Sequence, residues 1–195
     1  MSEPAVRPMT LDEFLRWDDG TDTRYELIGG FLVAMAPPAH AHGIIAARIV
    51  ARLEETLRQR RPCRTQIEAG VINPDRSDMF FVADIAVTCA PYESASQSVR
   101  EPLLLFEILS PSTERHDRRI KLPAYQRIGS LREIVLIDSD MPYAELYRRQ
   151  GELWTVQSIQ GAETVLPLTS IGIEISMAEL YEGMISGSNP GSLSS

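Results

Sequence analysis

The sequence is almost without lysine. Lys121 is the only lysine in the chain, although lysine and arginine together number 19. Genome composition can account for a general preference for arginine. The one position that kept an ammonium is informative, because lysine and arginine differ in geometry, hydration and ease of deprotonation. We therefore treat Lys121 as a candidate for a specific chemical role.

Long apolar runs are also missing. No stretch approaches the roughly 20 apolar residues that cross a bilayer, and the N-terminus lacks the apolar segment of a signal peptide. The two cysteines, Cys63 and Cys89, have no metal-ligand spacing. Without a secretion signal, nothing in the sequence favours pairing them. We expect a cytoplasmic protein without membrane contact, in which both cysteines are reduced.

Basic residues are fewer than acidic ones, 19 against 27, which gives a formal net charge of −8. This argues against a protein that coats nucleic acid, because phosphate binding needs a cationic surface. It does not exclude an enzyme with a local basic patch and an acidic metal site. The length of 195 residues suits one domain. We predict a flexible N-terminus over 1–8, a single domain over 9–184 and a disordered Gly/Ser-rich tail over 185–195.

The pattern of elements predicts an α+β fold with a mixed β-sheet. Two β-prone runs flank Gly29-Gly30, and two more flank Gln150-Gly151, so a hairpin is expected near each end of the chain. Apolar residues recur at helical spacing between His42 and Arg60. One more strand is predicted over 165–175. Few β-α-β crossovers are present, which argues against a doubly wound fold.

Single carboxylates interrupt three of the predicted strands. Glu107 lies in the apolar run Leu103–Leu109, Asp84 in Met79–Thr88, and Glu26 in the first hairpin. A carboxylate buried in such a strand costs several kcal/mol unless it is paired, protonated or bound to a metal. Pairing with arginines in an ordinary soluble α+β protein is one explanation.

A metal site is the other explanation. Mg²⁺ prefers oxygen ligands and commonly takes one or two carboxylates, with water and substrate phosphate completing its shell. Neighbouring strands joined by a loop often pair, which would bring Asp84 beside Glu107. Lys121, on the next helix, could then orient the attacking water and stabilise charge on a phosphate. His42 extends the apolar stripe of its helix and is read as a core or capping residue, with an accessory role in the site as the alternative.

The segment after Ser110-Pro111 is predicted to be helical to about Ile128, although Pro123 should kink it or delay its start. Three arginines near its beginning would form a phosphate-binding patch, and a solvated helix face paired with Glu114 and Asp117 is the alternative. His116 is expected to be exposed and is given no role. The three arginines are Arg115, Arg118 and Arg119.

Several segments, in this order, resemble the putative restriction endonuclease family of the Uma type, within the PD-(D/E)XK nuclease superfamily. The resemblance runs from about Met9 to Tyr181, and Phe106–Thr113 is its most specific part. The matching segments are Arg24–Gly30, Met35–Pro38 with His42, Ala83–Val87, Phe106–Thr113, Asp117 with Lys121, Tyr125 and Gly129, and Ile137-Asp138.

The resemblance implies a restriction-endonuclease-like core and a metal-dependent endonuclease that hydrolyses DNA with Mg²⁺, for which Mn²⁺ could substitute. By position, Asp84 and Glu107 would hold the metal, with the backbone carbonyl of Ile108 as a further ligand and Glu26 as an additional acidic residue. Leu109 stands where the superfamily has its lysine, and Lys121 matches the related family's alternative position.

Two other residues depart from the family pattern. Ala83 replaces the usual proline before the aspartate, and Phe31 replaces the family's second hairpin glutamate. A catalytically silent nuclease fold that serves as a binding or partner module is therefore the alternative function. Double-strand cleavage needs two sites, so a homodimer is one expectation for an active enzyme.

Overall fold

A mixed β-sheet of eight strands forms the centre of the protein in a computed structural model that describes residues 7–184. The strand order is β2-β1-β4-β5-β6-β7-β8, and β3 pairs with β4. β5 and β6 are parallel, whereas the other neighbours are antiparallel. The strands are β1 (Tyr25–Ile28), β2 (Phe31–Ala34), β3 (Arg64–Ile72), β4 (Met79–Thr88), β5 (Pro102–Leu109), β6 (Glu133–Asp138), β7 (Tyr143–Gln150) and β8 (Leu153–Gln160).

Helices lie on both faces of this sheet, as expected for a mixed sheet flanked by helices. The helices are α1 (Leu11–Phe14), α2 (His40–Leu57), α3 (Glu114–His116), α4 (Leu122–Tyr125) and α5 (Met177–Leu180). A π-helical turn, Asp117–Lys121, joins α3 to α4. No helix in residues 7–184 is both long enough and apolar enough to cross a membrane.

Both predicted hairpins are confirmed. Gly29 and Gly30 adopt φ values of 58° and 83° between β1 and β2. Tight hairpin turns need positive φ at these positions, which glycine reaches without steric cost. Gly151, at φ 62°, serves the β7–β8 turn. The first hairpin places Glu26 in the sheet.

Alternation along β5 directs Glu107 to one face. Phe106 and Ile108 pack in the cluster that includes α2, whereas Leu105 and Leu109 pack with Tyr125 on the opposite face. Successive side chains of a strand point to opposite faces, so Glu107 points toward the helical segment 114–125. Its side chain is 2% exposed, which confirms that this carboxylate is buried.

Strand β4 changes its partner along one edge, and this creates a fork in the sheet. β3 occupies the other edge of β4 along its length. On the shared edge, β1 pairs at Met79 and Phe80, and β5 pairs from Ile85 to Thr88. Between these stretches, no described strand pairs with this edge of β4, so the backbone groups that point to it need other hydrogen-bond partners.

Pro123 does not stop the helix, because the π-helical turn changes the register just before it. The Leu122 N–H donates to Asp117 O, five residues back, and Pro123 then falls in the first turn of α4. A proline is tolerated there because its missing N–H would have no helical partner. The turn directs Asp117 and Lys121 inward, and both are buried.

Two of the predictions about strands and cysteines are wrong. Cys63 and Cys89 form a disulfide, because the antiparallel register pairs Arg64 with Thr88 and brings the flanking cysteines together. The strand predicted over 165–175 is instead a separate two-stranded sheet of β9 (Val165–Leu168) and β10 (Ile173–Ser176). The predicted tail over 185–195 and residues 1–6 lie outside the described part of the chain.

Glu133 shows how a buried carboxylate looks when its role is structural. It is fully buried at the start of β6, and its oxygens accept from Arg148 Nε and from the N–H and hydroxyl groups of Thr169 and Ser170. Thr169 and Ser170 belong to the turn between β9 and β10, so these hydrogen bonds hold that turn against β6. Glu133 therefore follows the arginine-pairing explanation considered for all strand carboxylates.

We expect Glu133→Gln to lower the free energy of unfolding by about 2 kcal/mol, because the amide group turns an acceptor into a donor that faces other donors. Urea denaturation measures the change. Glu152→Gln, at an exposed position of the β7–β8 turn, is the matched control and should change stability little. Equal stability of the two variants would contradict this role.

Candidate active site

Side chains fill the fork where one edge of β4 lacks a strand partner. The Val82 N–H donates to Glu26 Oε1 at 2.9 Å, and Lys121 Nζ donates to Val82 O at 2.9 Å. The Ile108 N–H donates to Asp84 Oδ2 at 2.6 Å. Polar side chains from β1, β4 and the helical segment thus replace the missing ladder, which explains why charged residues interrupt these strands.

Lys121 is the centre of a buried cluster of carboxylates. Its Nζ lies 3.1 Å from Glu26 Oε1, 3.2 Å from Glu107 Oε2 and 3.4 Å from Asp117 Oδ1. All four side chains are at most 6% exposed. Three carboxylates around one ammonium leave the cluster rich in negative charge unless protons or a further cation balance it.

A second layer of hydrogen bonds orients these carboxylates. The Tyr125 hydroxyl donates to Glu107 Oε1 at 2.5 Å, and His116 Nε2 lies 2.9 Å from Glu26 Oε2. His116 is therefore half-buried beside the cluster, and the prediction that it is exposed was wrong. Sequence spacing could not show this, because Glu26 and His116 are 90 residues apart.

Asp84 lies at the more open side of the fork. Its side chain is 19% exposed, and Oδ2 also lies 3.1 Å from His42 Nε2. The hydrogen bond with Asp84 raises the pKa of His42, although partial burial opposes the shift. Helix α2 thus brings His42 to the carboxylate, and the structure places this residue at the site instead of in the apolar core.

Burial and the Lys121 charge set the ionisation of the cluster. Burial raises the pKa of Glu107 well above its ordinary value, and Lys121 opposes only part of this shift. Burial also raises the pKa of Asp117. For Glu26 burial acts in the same direction, but the hydrogen bond with His116 and the charge of Lys121 outweigh it, so its pKa is lowered. Burial would lower the pKa of Lys121, and the carboxylates raise it instead.

The predicted arginine patch is only partly available. Arg118 pairs with Glu114 at 2.8 Å and with Glu145 at 2.5 Å. The pair with Glu114 agrees with the alternative in which the arginines lie on a solvated helix face. Arg115 and Arg119 are exposed and form no ion pair with a residue of the described chain. These two remain candidates for contact with phosphate.

Besides His116, sequence reasoning missed two further members of the site. Asp117 was read as a partner for neighbouring arginines, and Tyr125 was quoted only within the resemblance. Asp117, Lys121 and Tyr125 are each four residues apart, and this spacing places side chains on one face of a helix. That signal was in the sequence, whereas the contacts with Glu26 and Glu107 depend on the fork.

Glu145 offers a test of the electrostatics beside the site. Burial would raise its pKa, but hydrogen bonds from Arg118, Tyr147 and Tyr143 outweigh it and lower the pKa below 4.5. The stabilisation is therefore present above the unfolded value and is lost as the pH falls through the folded value. We expect Glu145→Gln to be about 1 kcal/mol less stable than the parent at neutral pH, with the difference closing in acid.

Urea denaturation as a function of pH measures this difference. Glu174→Gln, at an exposed position of β10, is the control and should show no such pH dependence. A gap for Glu145→Gln that stays constant between neutral and acidic pH would contradict the lowered pKa.

The donor set at the fork suits a hard divalent cation. No three His, Cys, Asp or Glu side chains in residues 7–184 converge as a preformed metal cage. Mg²⁺ does not need such a cage, since one or two carboxylates with water and substrate phosphate are its usual ligands. Asp84 and Glu107 lie on paired strands and are linked through the Ile108 N–H, one residue beyond Glu107. The carboxylate oxygens of Asp84 and Glu107 are the kind of ligand that Mg²⁺ prefers.

Known proteins resemble this chain in sequence and in fold. Residues 11–178 match the Uma2 family, described as a putative restriction endonuclease. An uncharacterised protein from Synechocystis is 26% identical over 186 residues, which cover 93% of this chain and 94% of the relative. The crystal structure of a putative nuclease of the DUF820 group from Anabaena variabilis superposes with a TM-score of 0.76 at 23% identity, covering 91% of this chain and all of the other. This likeness confirms the predicted fold class.

Proposed function

This chain belongs to the Uma2 family of putative restriction endonucleases, and from that premise we propose that it is a Mg²⁺-dependent endonuclease that hydrolyses DNA phosphodiester bonds. One observation carries the proposal. Asp84 and Glu107 stand on paired strands at a fork in the sheet, and the only lysine of the chain lies 3.2 Å from Glu107.

The residues divide the chemistry among them. Asp84 and Glu107 would hold the metal, with the Ile108 carbonyl as a further ligand, and bound Mg²⁺ would polarise the phosphate and make its water a stronger nucleophile. Lys121 orients the attacking water and stabilises negative charge on the phosphate. Glu26 and Asp117 hold the Lys121 ammonium, and Tyr125 holds Glu107 in place.

The surroundings can offset the negative charge of the chain locally. Arg115 and Arg119 are exposed at the helical segment that carries Lys121. Guanidinium groups at such positions contact phosphates and fix the position of a duplex without reading its sequence. This supports DNA as the substrate despite the net charge of −8.

Cleavage of plasmid DNA by the purified full chain tests the function. We expect nicked or linear product with Mg²⁺ or Mn²⁺ and none with EDTA. Arg115 and Arg119 act through charge, so the double variant Arg115→Ala/Arg119→Ala should bind DNA more weakly and with a smaller salt slope. Cleavage that is equally fast in EDTA would overturn the metal-dependent mechanism.

A catalytically silent binding or partner module is the second candidate. The observation that favours it is the engagement of Lys121 Nζ by Val82 O and three carboxylates, which leaves no donor obviously free for water. Calorimetric titration with Mg²⁺ distinguishes the two functions. Binding at millimolar Mg²⁺ supports the nuclease, and absence of binding together with absence of cleavage supports the silent module.

A further inference from the structure

An aromatic cleft opens next to the fork and has no part in the chemistry proposed so far. It encloses about 390 Å³ between α1, the start of β1 and strands β3 and β4. Its apolar wall consists of Phe14, Trp17, Tyr25 and Phe80, and its polar rim includes Arg24 and Gln97. The volume falls within the range of small-molecule sites in proteins.

Strand registers connect this cleft directly to the candidate active site. Tyr25 and Glu26 are neighbours on β1 and point to opposite faces of the sheet, and Val82, which lines the cleft, binds Glu26 and Lys121 through its backbone. Glu68, also in the lining, lies opposite Asp84, because its neighbours pair as Ile67↔Ile85 and Ala69↔Ala83. The cleft therefore adjoins the fork at Val82 and, through Glu68, at the strand position opposite Asp84.

The rings are arranged so that an aromatic face stays available. Trp17 and Tyr25 meet edge to face, with centroids 5.0 Å apart and planes at 89°. The ring that offers its edge keeps both of its faces free of the other ring. Both residues are half-buried, so the apolar core does not enclose them. Such rings stack with planar ligands in a sequence-tolerant way.

The charges around the cleft suit a neutral base inside it and a phosphate group at its rim. Arg24 pairs with Glu68, and the Tyr25 hydroxyl donates to Asp19 at 2.9 Å. Carboxylates so close would repel a phosphate group inside the cleft, but they do not oppose a neutral base. Arg24 can meet the adjoining phosphate at the rim.

We propose that this cleft binds an unpaired nucleobase of the substrate strand, stacked on Trp17 and Tyr25, beside the phosphate at the fork. The inference rests on the proposed nuclease function and adds the substrate class, DNA in which a base is single-stranded or extruded. Unstacking a base from a duplex costs a few kcal/mol, so strands with unpaired bases bind better.

Fluorescence of a single tryptophan tests the cleft without any cleavage. The chain has two tryptophans, Trp17 and Trp154. Trp154 belongs to β8 and packs under the guanidinium of Arg149, so Trp154→Phe leaves Trp17 as the only fluorescent tryptophan. In EDTA, a single-stranded DNA of about 12 nucleotides should quench Trp17. An abasic strand of equal length should bind through its phosphates with little quenching. Absence of quenching, or equal quenching by both strands, would overturn the proposal.

Affinity gives a second, independent reading. Trp17→Leu should weaken binding of the single strand about tenfold, whereas Trp154→Phe should leave it unchanged. Thermal unfolding of both variants checks the fold, and the quenching result stands even if Trp17→Leu does not fold. Cleavage without base-dependent quenching would refute the cleft alone. Base-dependent quenching in a protein that never cleaves DNA would refute the nuclease function alone.

Discussion

Replacing Asp84 with asparagine is expected to slow Mg²⁺-dependent cleavage of DNA at least about a thousandfold. A carboxylate that holds a catalytic metal contributes several kcal/mol to the transition state, and each 1.36 kcal/mol is worth about a factor of ten in rate. Asparagine keeps an oxygen that can accept from the Ile108 N–H, so the hydrogen bond between β4 and β5 at the fork should remain. The rate of plasmid nicking, measured with saturating Mg²⁺, reports the change.

Asp75→Asn is the matched control for this experiment. Asp75 is an exposed aspartate whose only ion pair in the described chain is with Arg127, at 3.3 Å. This variant should cleave at the rate of the parent, which shows that loss of one negative charge is not the cause. Undiminished cleavage by Asp84→Asn would place the metal elsewhere.

Replacing Lys121 with methionine is expected to lower the free energy of unfolding by about 3–5 kcal/mol and to abolish cleavage. The change leaves the Val82 carbonyl without its donor and removes the cation shared by Glu26, Glu107 and Asp117. Breaking a buried ion pair by removing one partner has costs of this size. Urea denaturation at neutral pH measures it.

The same variant should lose less stability in acid. Buried carboxylates without a cation take up protons, and protonation removes the uncompensated charge that destabilises the fold. Arg119→Met, an exposed cation on the same helical segment, is the control for stability and should change it little. A Lys121→Met protein as stable as the parent would show that the ammonium does not balance the carboxylates.

The sequence could predict the parts of the fold that depend on local pattern. Glycines at φ 58° and 83° mark the first hairpin, and the Thr-x-x-Glu spacing of Thr10 and Glu13 forms a capping box at the start of α1. The apolar runs of β4 and β5 were likewise evident. The cysteine pairing escaped prediction, because it depends on the register of β3 against β4.

The site was predictable in its carboxylates and not in its arrangement. Isolated acids in apolar strands identified Glu26, Asp84 and Glu107, and the scarcity of lysine singled out Lys121. The partner change of β4 is a property of three strands together, and no local pattern encodes it. The roles of His116 and Tyr125 follow from that fork, since each meets a carboxylate on a distant strand.

Glu133 shows why burial of a carboxylate alone is a weak indicator of function. Its sequence context, Glu133 before Ile-Val-Leu-Ile, resembles that of Glu107, yet it accepts from an arginine and from two backbone N–H groups. Glu107 instead shares a lysine with two other carboxylates, and burial raises its pKa. An excess of acids around one cation, and not burial, separates the candidate active site from the structural pair.

A crystal of the protein soaked in Mn²⁺ tests the central claim most directly, because anomalous scattering locates the ion without relying on activity. We predict an anomalous peak about 2–2.5 Å from carboxylate oxygens of both Asp84 and Glu107, which is absent from the Asp84→Asn crystal. A fork without a peak at saturating Mn²⁺, or a peak held by other side chains, would contradict the account.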